Sequence, residues 1–288
     1  MSLRNPFRRT VLRALAIAAL LSGAQHIACA EDTDSQMPAI RVAVVGGLQL
    51  CGVWPELVRR AEQVIGVPIV TVAAAPKEGV VPLFAHGEAD VLLIHGSDET
   101  YALQAQGLAA PLRAWAWNEH VLIGPANDPA RVAEAKDGVD AIRRIRAVDA
   151  PMIGFRDPGS FSVMQHLWRN SGLRPGARQQ LLDDGETPRA VVQAAAQVGA
   201  YAVVGHIPVA FGRMPLGDYR VLLAGDPAMR RVYVAVEPGP RHIAQASQRQ
   251  RAQRLVSYLL SPEGQAALVE ANAAVASRER PGPWLFPL

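Results

Sequence analysis

The segment Gly87-Glu88-Ala89-Asp90-Val91-Leu92-Leu93-Ile94-His95-Gly96 constrains the fold more than any other stretch of the chain. An acidic turn opens onto a short apolar run, and the run stops on a polar His-Gly loop. A strand buried on both faces of a parallel sheet has this pattern, because helices cover both faces and leave no polar side. The loop after such a strand lies at the carboxyl edge of the sheet, where open α/β folds bind ligands. The segment therefore predicts an α/β protein and points to a binding cleft near His95. Taken alone, it also fits a plain core strand.

The first thirty residues read as a secretory signal peptide. Arg4, Arg8, Arg9 and Arg13 form a basic head, residues 11–22 are apolar and helical in pattern, and Ala28-Cys29-Ala30 offers small residues before Glu31. This order predicts cleavage after Ala30 and a periplasmic protein. The apolar run is short beside the ~20 residues of a membrane span. Cys29 opens the alternative of a lipid anchor, against which His26 stands where a lipoprotein signal carries leucine.

The chain has a formal net charge of +3, and every charge in the signal segment is positive. The remainder is close to neutral, so the high pI licenses no nucleic-acid or membrane partner. Lysine occurs only at Lys77 and Lys136; the other cations are arginines scattered along the chain. Cys51 is the only cysteine beyond the signal segment, so no internal disulfide forms and stability must come from the core. The processed chain is long enough for two domains.

Strand and helix patterns alternate. Strands are predicted over 40–45, 68–73, from Ala89, and over 121–124, 151–155, 201–204, 219–223 and 232–236. Helices are predicted over 52–65, 78–86, 98–106, 138–148 and 160–171. Another runs from a Thr187 cap with Pro188 at its first position to Val198. Two more close the chain, the last opening on Ser261-Pro262-Glu263. This alternation argues for parallel sheets. Gly124-Pro125 and Glu237-Pro238-Gly239 are turn-forming breaks that flank a middle portion of domain size. They predict one lobe of residues 38–124 plus 237–288 and a second of 125–236, hinged around a cleft.

The stretches "GEADVLLIH", "NEHVLIGPANDPA", "FRDPGSFSVMQHLW", "GAYAVV" and "YLLSPEGQAAL", with the ending "PWLFP", run in this order through most of the processed chain. Together they resemble the extracytoplasmic solute-binding proteins of ABC importers, and within them the tungstate-binding family. The resemblance implies a type II periplasmic binding fold, in which two α/β lobes with mostly parallel sheets are joined by two crossing strands. It also implies a monomer that traps a small anion between its lobes and presents it to an ABC permease in the inner membrane, with no cofactor.

Such proteins hold a dehydrated tetrahedral oxyanion with hydroxyls, backbone N–H groups and arginine. In the segment Arg156-Asp157-Pro158-Gly159-Ser160, Arg156 matches the family's anion-binding arginine and Ser160 its helix-start hydroxyl; the alternative is a surface turn with Ser160 as an ordinary cap. Arginine's fork of donors suits an oxyanion or carboxylate. The family's threonine- and serine-rich loop is replaced by Val44-Val45-Gly46-Gly47, where Gly46 and Gly47 can still present amides. Cys51 falls where the family carries serine, as a ligand with its pKa lowered by a helix start or as a packed small residue. Lys77 can add charge to the cleft or face water, and His206 can donate or pack. Asp183-Asp184-Gly185-Glu186 either forms an outward turn or, turned inward, would select a cationic or amine-bearing guest. Trp115, Trp117 and Asn118 are candidates for a cleft wall or for the core.

The lost hydroxyls leave tungstate or molybdate in competition with a monovalent anion or small carboxylate held by Arg156. A metal ion is a further alternative, since His95, His120 and His206 could meet in space with Asp184. A sensor or partner protein that imports nothing is another. No histidine pair has a zinc-binding spacing, Ser160 and Ser162 have no identifiable base, and no phosphate-cradling loop occurs, so no enzyme activity is expected.

Overall fold

The computed structural model describes residues 38–155, 157–182 and 190–288. The signal segment, Arg156 and the Asp183–Thr187 stretch lie outside the described residues.

The chain opens with β1 (Ile40–Val45), α1 (Gly46–Leu50), α2 (Val53–Ile65), β2 (Ile69–Ala75), α3 (Lys77–Ala85), β3 (Val91–His95) and α4 (Asp98–Ala105). The long strand β4 (Arg113–Pro125) leads to α5 (Gly138–Ala147), β5 (Met152–Gly154), α6 (Pro158–Ser171), β6 (Leu181–Leu182), α7 (Ala190–Val198) and β7 (Tyr201–Gly205). Then come α8 (His206–Ala210), β8 (Tyr219–Leu223), β9 (Arg230–Val236), α9 (Ala246–Leu260) and α10 (Pro262–Val275). Two short helices, α1 and α8, escape the sequence reading: one turn of helix has no apolar period long enough to register.

The strands lie in the order β2-β1-β3-β9-β4-β7-β5-β6, with β8 also on β4. The flanks β2-β1-β3 and β7-β5-β6 are parallel, while β9 and β4 between them run antiparallel to their neighbours and to each other. Strand β4 is nine residues longer than the pattern over 121–124 suggests; its first half, Arg113–Glu119, pairs with β9 and its second half, His120–Ile123, with β7. One large core packs around β1, β3 and the first half of β4, with α2, α9 and α10. Two smaller cores lie around β4, β5 and β7, one with α5 and α6 and the other with α7.

The opening sequence feature resolves into strand β3, fully buried from Val91 to Leu93. Its acidic residue is structural. Asp90 is 1% exposed and accepts from the Arg41 main-chain N–H at 2.9 Å and from Arg41 Nη2 at 2.6 Å. It thereby fixes the start of β3 against β1. The chain end is held in a comparable way. Buried Asn272 accepts from the main-chain N–H groups of Trp284 and Leu285 and donates to the Leu285 carbonyl. Phe286 then pairs with Trp117 of β4 and lies 3.8 Å beneath the Arg230 guanidinium of β9.

Removing the buried Asp90 leaves both the main-chain N–H and the half-buried guanidinium of Arg41 without their carboxylate acceptor. Asp90→Ala is expected to lower unfolding free energy by about 2–4 kcal/mol, read as a shifted denaturation midpoint at unchanged slope. A loss below about 1 kcal/mol would show that Arg41 finds water or another acceptor.

Candidate functional site

The antiparallel pair β4–β9 brings polar side chains together by register. Asn118 of β4 lies opposite Arg231 of β9, and His95 of β3 lies opposite Tyr233 of β9. Because successive strand side chains alternate between faces, Asn118 shares a face with His120 and Arg231 shares one with Tyr233. These five side chains border a cavity of about 220 Å³. Gly47 of α1, Asp157 and Ser160 at the start of α6, and Ile207 and Pro208 of α8 complete much of the wall.

Arg231 is the one cation lining this cavity among the described residues. It makes no ion pair among the described residues. Burial pulls its pKa down, and the nearby Asp157 carboxylate partly opposes that. Its guanidinium rests on the first turn of α6, where Gly159 provides the space: a Cβ at residue 159 would fall 1.7 Å from Arg231 Nη1. The sequence reading does not reach Arg231, because its strand begins at Val232 and nothing local distinguishes one arginine in Arg230-Arg231 from the other. The alternation Arg231-Tyr233-Ala235 along β9 is the signal that could have marked its face.

The two histidines here are neutral. Burial first, then the Arg231 charge, pushes His95 well below the usual histidine range. The same causes bring His120 down to about 4. His95 Nε2 lies 3.1 Å from Asn118 Oδ1, and its ring stacks on Tyr233 with centroids 4.2 Å apart. His120 Nδ1 is buried without a partner among the described residues. Such an atom is costly unless something else satisfies it.

Of the residues singled out in the sequence, Gly47 and Ser160 line the cavity, as do His95, His120 and Asn118. Ser160 is 1% exposed, and both its main-chain N–H (2.8 Å) and its hydroxyl (3.0 Å) donate to Asp157 Oδ2. Asp157 is thus the helix cap, and the Ser160 hydroxyl proton is engaged within the turn.

Gly46, Cys51, Lys77 and His206 are not among the lining residues. Cys51 sits in the core at the carboxyl end of α1, and its thiol donates to the Leu48 carbonyl at 3.5 Å. Burial raises its pKa to about 11, the reverse of the expected activation. Cys51 closes α1 and also directly precedes Gly52, the N-cap of α2; the Val53 main chain there lowers its pKa, but burial outweighs that effect. Lys77 is neutralised by Glu99 at 2.5 Å. His206 Nδ1 is 2.9 Å from Glu119 Oε2, and its ring meets the edge of Trp284. Burial pushes Glu119 up, but hydrogen bonds from His206 and the Gly225 main chain outweigh it and hold the carboxyl low. Trp115 is fully buried core. His206 does not join His95 and His120, and no cluster suited to a metal ion occurs among the described residues.

A second hollow, of about 320 Å³, lies between Pro111, Arg113, Glu237 and Arg249. Arg249 already donates to four carbonyls, those of Pro238, Gly239, His242 and Ala244, so its donors are spent on the local chain.

The sequence profile of the bacterial extracellular solute-binding proteins matches residues 40–271. The tungstate-binding protein TupA of Peptoclostridium acidaminophilum is 32% identical over 92 residues, 31% of this chain and 32% of that protein. The chain thus aligns with about a third of the length of that relative. The solved tungstate-binding protein TupA from Desulfovibrio alaskensis G20 superposes with a TM-score of 0.66 at 18% identity, covering 87% of this chain and 99% of that one. A structure described as the tungstate ABC transporter from Geobacter sulfurreducens gives a TM-score of 0.64 at 20% identity, over 81% and 98%. At such identities the likeness establishes the periplasmic binding protein fold. The profile reaches all three cores and covers all five polar cavity residues, and its members are solute-binding proteins rather than enzymes. The chain belongs to the bacterial extracellular solute-binding proteins.

Proposed function

We propose that this protein binds a small anion in the cavity between two lobes, in the periplasm, and delivers it to an ABC permease. The observation that carries this reading is Arg231, a half-buried guanidinium with no ion pair among the described residues, lining a cavity bordered by neutral histidines. A partly desolvated guanidinium that no carboxylate contacts directly favours an anionic guest, which arginine can grip with two parallel hydrogen bonds. Arg156 and Ser160, the residues that match the family's anion site, belong to the same proposed set. The tungstate-binding relatives make tungstate and molybdate the first anions to test.

Lobe closure follows from the crossing strands. One lobe would hold the large core and the other the two smaller ones, with β4 changing partners between Glu119 and His120 and β9 leading back at Arg230. The cavity draws residues from both sides of that line: His95 and Gly47 from one, Ser160 and Phe155 from elements beyond it.

Three outcomes test the reading. Arg231→Gln should weaken anion binding by tenfold to a hundredfold, the range of a lost charge-assisted hydrogen bond of about 1.5–3 kcal/mol, measured by calorimetric titration. Unchanged affinity would remove Arg231 from the site. Gly159→Ala should displace the same guanidinium and weaken binding while leaving the melting temperature nearly unchanged, because the obstructed group is the far end of a flexible side chain. Finally, neither His95 nor His120 gains a proton near neutrality. The affinity for an anion that does not itself titrate should therefore be flat between about pH 6.5 and 8. A gain in affinity centred near pH 6.5 would mean that a cavity histidine charges.

A further inference from the structure

The cavity is chemically two-sided. Its polar part is the register-matched group of His95, Asn118, Arg231 and Tyr233, with His120 alongside. The rest is largely hydrocarbon: Val45 at the end of β1, Phe155 after β5, Ile207 and Pro208 of α8, and Met214 beyond it. Ile207 and Met214 are 2% and 1% exposed, so this wall is packed and not a loose fringe.

We propose that the natural solute is a monocarboxylate with a short apolar body, its carboxylate on Arg231 and its carbon skeleton against Phe155, Ile207, Pro208 and Met214. This rests on the small-anion reading above and narrows it. Three physical points favour it over a tetrahedral dianion. A tetrahedral oxyanion carries oxygens in every direction, so some would lose their water to hydrocarbon and receive nothing in return. A carboxylate keeps both oxygens on one side, where a guanidinium meets them in its own plane.

The charge balance points the same way. Among the described residues the cavity has one cation, Arg231, and also one carboxylate, Asp157, while both histidines are neutral. With the Arg231 and Asp157 charges opposing each other, a monoanion adds one uncompensated negative charge and a dianion two, so the single charge costs less in this partly desolvated space. Size agrees as well. About 220 Å³ falls below the ~300–1,000 Å³ of pockets for drug-sized ligands, yet leaves room for a few carbons beyond a carboxyl group.

The test uses the processed protein, titrated calorimetrically with sodium acetate, propionate, butyrate and benzoate, and in parallel with tungstate, molybdate and sulfate. Affinity is expected to rise along the aliphatic series by about fourfold for each added methylene that the wall covers. Phe155→Ala, checked for an intact thermal transition, should flatten that rise with chain length. If tungstate or molybdate binds tighter than every carboxylate and chain length has no effect, the carboxylate assignment is overturned and the anion reading survives. If no anion of either kind binds, both fall. A rise with chain length that persists undiminished in Phe155→Ala would also overturn the assignment, because the carbon body would lie elsewhere.

Discussion

The antiparallel ladder between β4 and β9 is the constraint on which the cavity depends. Each strand has a parallel sheet flank on its far side, reached through β7 from β4 and through β3 from β9. The pleat then does the rest. A shift of one residue in this ladder would turn Arg231 and Tyr233 to the opposite face and bring Arg230 and Val232 into the cavity in their place. Register is held here by what lies on that opposite face: Val232 packs on the large core, and Arg230 covers Phe286 of the chain end. A side chain outside the cavity thus determines which arginine lines it.

Burial sets the electrostatic character of this region. Histidine is usually the residue whose charge responds to mild acid, yet both histidines in the cavity are kept neutral by their surroundings and by the guanidinium between them. They act as shaped hydrogen-bonding groups and as aromatic surface, His95 by stacking on Tyr233. Among the described residues the Arg231 cation is therefore opposed only by Asp157. Elsewhere the same logic works toward stability: Asp90, Lys77, Glu99 and Glu119 are each tied to a partner, leaving the main unsatisfied polar demand of the described cavity at Arg231 and His120 Nδ1.

Much of the fold was legible in the sequence because its signals are local. Apolar runs such as Val91–His95 and caps such as Ser261, which accepts from the Gly264 N–H, fix elements one at a time. Part of the site was legible for the same reason: Ser160 and Gly47 lie at strand-to-helix junctions, which carry turn chemistry. Arg231 was not, since its importance comes from a pairing between residues more than a hundred positions apart and from an empty spot above Gly159. Lys77, Cys51 and His206 were drawn in by their chemistry, and their partners, Glu99, the Leu48 carbonyl and Glu119, are set by tertiary packing. Chemical type alone nominates residues; register and burial decide among them.

The burial of Cys51 has a practical side. Its sulfur is shut inside the larger core with a thiol too weakly acidic to ionise near neutrality. A maleimide or disulfide reagent would therefore find Cys51 closed in the native fold and open once that core opens. The residue amounts to a built-in clock for local unfolding on one side of the molecule, readable without introducing any new group.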